Sequence, residues 1–370
     1  MAYEKELIIN SDNFSVCFNS MQITYPTLDQ IITKMDFIEP NDTVNVFLNI
    51  ESLIRNLSMV RDVERKIYMA GDDFSTLIAS KIINYAAHYK SFFRRNNLRT
   101  YVYLYMTDFN STTFNESEIN PDYRCYYRTK YTKNPKFTQL REAMEKKIIP
   151  MVSTILEFIE GVYFINTLNI EATVVPMVIG SLNPTRKNII ISSDKVETQY
   201  SFKNNYRMIY LKRGAGSSVM TGSLLDFIAE ITKRPKDTIL NEGGSLYSNR
   251  GFYILLLSVL GDKYRTVEGI SKVGYSTLSR MISRGINENI ITSSTTNPEL
   301  LSRIFDDSVV KDVIDNYNIL DLERRYELLT KEQVNTITSM LIDRSDIRSL
   351  QKLNGTNFYK YNLNLEALTQ

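Results

Sequence analysis

Four carboxylates in this 370-residue chain stand where short apolar runs end: Glu51 just beyond Asn49, then Asp108, Glu171 and Asp194. Oxygen ligands of this kind, brought together at one edge of a sheet, suit a divalent ion of the Mg²⁺ or Mn²⁺ type. Two such ions could polarise a phosphodiester and activate water. Each acid taken singly is also an ordinary strand-end turn residue or helix cap, so the chemistry depends on whether the fold makes them converge. A second stretch, Gly261 to Gly274, joins an apolar run ending at Leu260 to an amphipathic one beginning at Tyr275. Gly269 and Gly274 permit a tight turn before a helix whose free N–H groups could receive a phosphate, the layout of a helix-hairpin-helix; the same spacing also describes a plain connector.

The elements that must position these residues follow from periodicity. Val44 to Ile50 reads as a buried strand, Asp73 to Asn96 as a long helix with apolar residues every three to four positions, and Leu98 to Thr107 as the next strand. Strand, helix, strand implies a parallel pair with a right-handed crossover. Further strands are expected at Val162–Leu168, Asn188–Ser192 and Tyr206–Leu211, with a helix over Thr138–Glu160 and helix-rich sequence from about 216 to 350. The fold class is α/β: a mostly parallel sheet flanked by helices, with helices at the C-terminal end. Ligands of such a sheet bind outside the carboxyl ends of its strands, where the four acids stand.

Composition narrows the chemistry. Lys plus Arg (44) nearly balances Asp plus Glu (42), so any basic surface must be local. One such patch is Asp122 to Phe137, where Arg124, Arg128, Lys130, Lys133 and Lys136 alternate with four tyrosines and Phe137. A loop of this kind can meet phosphates and stack on unpaired bases, and it is equally a solvated loop. The single His88 removes most histidine chemistry; two distant cysteines, Cys17 and Cys125, fit neither a disulfide framework nor a zinc site and predict a reducing, cytoplasmic compartment. Apolar runs are too short to predict a membrane span.

In order along the chain, these features resemble the 5′-nuclease superfamily of flap endonucleases and phage 5′-to-3′ exonucleases, with its PIN-like domain, helical arch and helix-hairpin-helix. Phe47-Leu48-Asn49-Ile50 stands where that family has a strand ending in Asp, Glu171-Ala172-Thr173-Val174 at its Glu-Ala-Asp-Asp, and Ser193-Asp194-Lys195-Val196 at its Asp-x-Asp. Gly261 to Gly274 matches its hairpin without a gap. The resemblance implies domains at 43–215 (PIN-like, with an arch-like basic insertion at 109–140), 216–296 (hairpin region) and 297–370 (C-terminal helices and tail), after an extension at 1–42. It implies nucleic-acid contacts at Arg124, Arg128, Lys130, Lys133, Lys263, Gly269, Lys272, Gly274 and Arg280. Bound DNA, branched or single-stranded, would be the partner, with protein partners on the C-terminal helices, in a virus-infected cell or virion.

It also implies a depleted metal site. Asn49, Thr173, Val174, Val196 and Arg265 stand at acidic positions of the family, leaving Asp108, Glu171 and Asp194, with Asp262 less clearly tied to metal. Arg265 would bring positive charge into a site built for cations and pair with the remaining carboxylates. The expectation is a degenerate homologue of a 5′-nuclease, without cofactor, that binds nucleic acid or serves a larger assembly. The alternative is an active nuclease using Mg²⁺ or Mn²⁺, with the oxygen of Asn49 still ligating or Glu51 and Glu197 substituting for lost ligands. On that alternative Glu51 must stay on a continuing strand, and Glu197 needs a shifted register.

Overall fold

The computed structural model describes residues 38–57, 72–108, 142–156, 159–211, 217–220, 235, 237–238, 250–262, 265, 267–270, 302–303 and 305–341. Arg124, Arg128, Lys130, Lys133, Lys263, Lys272, Gly274 and Arg280, most of the N-terminal extension, the arch-like insertion and the tail beyond 341 lie outside the described residues.

The β-branched and aromatic runs form a six-stranded sheet. Its strands are β1 (Thr43–Asn49), β2 (Arg99–Thr107), β3 (Val162–Thr167), β4 (Lys187–Ser192), β5 (Tyr206–Leu211) and β6 (Ser217–Met220), in the order β3-β2-β1-β4-β5-β6. The first five are mutually parallel and β6 is antiparallel to β5. The order reverses direction between β1 and β4, which puts a ligand crevice outside the carboxyl ends of those two strands.

Alternate residues along each strand feed two cores. Val44, Val46 and Leu48, with Ile189 and Ile191, face α1 (Ile50–Leu57), α2 (Asp72–Arg95) and α3 (Ile149–Leu156). Phe47, Tyr103, Tyr105, Ile190 and Met208 face the other way, onto α4 (Val175–Leu182), α5 (Arg250–Leu260), α6 (Asp307–Leu320) and the short helices α7 (Leu322–Glu327) and α8 (Lys331–Ser339). Burial on both faces explains why the strands read as nearly continuous apolar runs. The C-terminal helices complete this second core: Val313, Leu320, Leu322 and Ile337 are each buried to within 1 %.

Differences from the expected elements are local. The stretch expected to be helix-rich from about 216 is not all helical, since β6 adds an antiparallel edge strand. The helix expected over Thr138–Glu160 is described from a π-helical turn at Met144–Ile148 followed by α3, and Pro150 lies at that junction, where it cannot donate an amide. Among the described residues no helix is long and apolar enough to cross a membrane.

Candidate functional site

Strand β1 stops at Asn49 because the chain turns directly into α1. The Asn49 side-chain oxygen accepts the Ser52 N–H at 3.0 Å, capping the helix, and its amide donates to Glu197 Oε2 at 2.9 Å. Both ends of the amide are therefore engaged by protein groups. Glu51 falls in the first turn of α1 rather than on a continuing strand.

Glu197 does reach the crevice. After β4 the chain enters a 3₁₀ turn, Val196–Phe202, whose three-residue repeat sets Glu197 beneath Asp194 while Val196 packs into the core. The register that would have turned Glu197 away belongs to a strand, and the strand has already ended. Glu197 is fully buried; Tyr105 donates its hydroxyl to Oε1 at 2.6 Å, and Ser192 is a further partner. Burial, followed by the charge of Asp194, pushes its carboxyl up to about 8, against the donated bonds from Ser192, Tyr105 and Asn49, which favour the charged form. Burial and the same carboxyl likewise push the Tyr105 phenol well above its ordinary range.

Arg265 occupies the centre of the acids. It has no exposed surface, and its guanidinium grips Asp194 with two bonds, Nη1 to Oδ1 at 2.9 Å and Nη2 to Oδ2 at 2.5 Å. Nη1 also donates to Asp262 Oδ2 at 2.7 Å, and Nη2 reaches Glu171 Oε1 at 3.4 Å. A planar fork matched to a carboxylate is the strongest form of charge-assisted pairing in proteins. Glu171 stands between two arginines, because Arg325 of α7 brings Nη1 to within 3.9 Å of its Oε1 and 3.5 Å of Thr173 Oγ1. Arg325 also donates Nε to the Ile319 carbonyl at 2.6 Å, which fixes the loop between α6 and α7.

The hairpin segment is shaped to deliver Arg265. Gly261 has φ +72°, and a Cβ there would stand 2.3 Å from the Gly269 nitrogen. A Cβ on Gly269 would stand 2.6 Å from the Leu260 carbonyl oxygen, so this glycine serves close approach of two backbones rather than an unusual dihedral. Between them Asp262 and Val267 exchange both backbone bonds, at 2.8 and 3.0 Å, and Arg265 N–H donates to the Asp262 carbonyl. Asn316 of α6 clamps the loop by donating to the Ser258 and Glu268 carbonyls, both at 2.9 Å.

Of the sequence-predicted residues, the fold thus gathers Asn49, Glu171, Asp194 and Arg265, together with Asp262 and Glu197. Asp108 lies to the side, half-buried at the end of β2, where Asn166 of β3 donates to its Oδ2 at 2.8 Å. Arg325 had no signal in the sequence: Arg324 and Arg325 are adjacent and alike, yet only Arg325 is buried.

The strand order, with its switch between β1 and β4, is that of a PIN-like 5′-nuclease fold, and solved structures agree. Over 82 % of this chain and 100 % of the other, it superposes on the bacteriophage T5 flap endonuclease, solved as a pseudo-enzyme–product complex with DNA and metal ions, at 10 % identity and a TM-score of 0.52. The T5 protein co-crystallised with metal ions gives 12 % and 0.50 over 83 % and 99 % of the two chains. The zinc-bound T5 5′-exonuclease gives 12 % and 0.52 over 80 % and 98 %. No family model and no curated protein matches the sequence. At such identities the likeness is one of fold.

Proposed function

We propose that this chain is a catalytically silent 5′-nuclease homologue that binds DNA without divalent metal, alone or as a subunit of a larger assembly. The observation that carries the reading is Arg265, whose buried guanidinium holds Asp194, Asp262 and Glu171 where cations would have to sit. The metals that such folds hold do not fit these residues. Two divalent ions about 3.5–4 Å apart need dense negative charge around them. Here Asn49 is a cap, burial pushes the Glu197 carboxyl up, Val196 is core, and two guanidiniums pair with Asp194, Asp262 and Glu171. Among the described residues no cluster of three or more acids, histidines or cysteines is arranged to hold a metal ion.

DNA binding is supported by the T5 pseudo-enzyme, which is seen in complex with DNA. Residues Arg124, Arg128, Lys130 and Lys133, with Lys263, Lys272 and Arg280 flanking the helix-hairpin-helix, are the proposed contacts. The test is cleavage of a 5′-flap and a nicked duplex in Mg²⁺ or Mn²⁺, run beside a binding assay in EDTA. Binding without cleavage is expected. Metal-dependent cleavage abolished by Asp194→Ala and Asp108→Ala would overturn the reading in favour of an active nuclease with relocated ligands, for which the inward-facing Glu197 is the one supporting feature.

A further inference from the structure

At the opposite edge of the sheet, the amino ends of the strands, four arginines crowd together: Arg94 and Arg95 at the end of α2, Arg99 at the start of β2, and Arg186 just before β4. Among the described residues, none of the four has a carboxylate at ion-pairing distance. Asp42 and Glu160 share this edge; the Asp42 carboxylate instead accepts the Glu39 N–H at 2.8 Å, and Glu160 offers its backbone carbonyl to Lys90.

Two of the arginines rest against one ring. The guanidinium carbons of Arg99 and Arg186 lie 5.3 and 4.6 Å from the centre of the same ring, Tyr101, so they are within about 10 Å of each other. Tyr101 belongs to an aromatic stair that descends into the core. Its ring is 6.5 Å from Tyr163, which stacks on Tyr103 at 5.3 Å, which stacks on Phe47 at 4.9 Å. Phe47 and Tyr103 are buried, whereas Tyr101 and Tyr163 are half-exposed. Positive φ at Asn97 turns the chain sharply from α2 into β2, so that Arg94 and Arg95 share an edge with Arg99. Arg99 and Arg186, backed by Tyr101 and joined at this edge by the exposed Arg94 and Arg95, match a ligand with closely spaced anionic groups.

We propose that this edge is a second nucleic-acid contact that grips a phosphate backbone without reading sequence, remote from both the carboxylate crevice and the hairpin. It extends the DNA-binding reading and does not use its residues. Backbone contacts by arginine position a nucleic acid and make its affinity salt-dependent.

The test is fluorescence anisotropy of labelled single-stranded and duplex oligonucleotides with the full chain, between about 50 and 200 mM salt. The variants are Arg99→Gln/Arg186→Gln, the exposed pair Arg94→Gln/Arg95→Gln, and Lys130→Gln/Lys133→Gln. In the log–log plot of affinity against salt, the slope is expected to fall by about one for each edge arginine removed, equally for different sequences. The Arg94/Arg95 pair gives this readout even if loss of Arg186 packing unfolds the first variant. Unchanged affinity and slope in both arginine variants overturns the inference while leaving the arch and hairpin reading intact. Loss confined to the arginine variants, with Lys130→Gln/Lys133→Gln binding normally, supports the inference and counts against the arch. A wild-type chain that binds no oligonucleotide overturns both. Polyglutamate binding that is lost in the arginine variants, with oligonucleotide binding unchanged, makes the edge a protein-docking surface and also overturns it.

Discussion

The two edges of one sheet handle charge in opposite ways. At the carboxyl edge, acids and arginines are drawn inside and pair with one another, with Arg265 bonded to three carboxylates and the buried Glu197 carboxyl pushed up to about 8. At the amino edge, Arg99 and Arg186 rest on the Tyr101 ring instead of on acids, beside the exposed Arg94 and Arg95. A ligand-binding edge needs unspent charge, whereas a buried cluster that has closed on itself has none to offer. The carboxyl edge is where ligands of an open α/β sheet bind, and here that edge holds an internal ion cluster.

The largest effect should come from opening the closed edge. Arg265→Ala leaves Asp194, Asp262 and Glu171 buried without their main counter-charge, and breaking a buried pair in this way costs about 3–5 kcal/mol. Denaturant unfolding should show the loss, and Arg265→Lys should recover only part of it, because an ammonium cannot make the two-bond grip on Asp194. Equal stability of wild type and Arg265→Ala would mean that the cluster is not closed as described.

The next effect is pH-dependent. Glu197 is raised from 4.5 to about 8, so the folded state holds a proton that the unfolded state releases. Its stabilising contribution is complete below pH about 4.5 and is lost as pH rises through about 8, at up to about 1.4 kcal/mol per pH unit for one proton. Unfolding free energies measured across this window should fall with pH in wild type and lie flatter in Glu197→Gln. A wild-type profile that rises over the same window would contradict a protonated Glu197.

A smaller effect is expected away from either edge. Thr330 caps α8 in a reciprocal box with Gln333, its hydroxyl accepting the Gln333 N–H at 3.2 Å while Gln333 Oε1 accepts the Thr330 N–H at 2.9 Å. Thr330→Ala should cost about 1 kcal/mol and leave DNA binding at both proposed surfaces unchanged. Reduced DNA binding in this variant would tie the C-terminal helices to the nucleic acid.

Most of the sheet was legible because strands buried on both faces declare themselves as β-branched runs, as in Asn-Ile-Ile-Ile-Ser before Asp194. The edge strand β6 was not, since Ser-Ser-Val-Met is short, flanked by Gly and Ser, and needs only one neighbour. Within the site, local sequence placed Asp194 and Glu171 at element ends, whereas the inward role of Arg265 came from resemblance alone. Glu197 was misjudged by applying a strand's two-residue period to a 3₁₀ turn. Arg325 and the pairing of Arg186 with Tyr101 depend on contacts between residues 152 and 85 positions apart, Arg325 to Thr173 and Arg186 to Tyr101, which no local pattern encodes.

The most direct test of the closed carboxyl edge is calorimetric titration of the full-length protein with Mn²⁺ at neutral pH, with Asp194→Asn as the control. The arrangement of Arg265, Arg325 and the buried Glu197 predicts no saturable binding in wild type and no difference between the two proteins. Saturable Mn²⁺ binding that disappears in Asp194→Asn would contradict it.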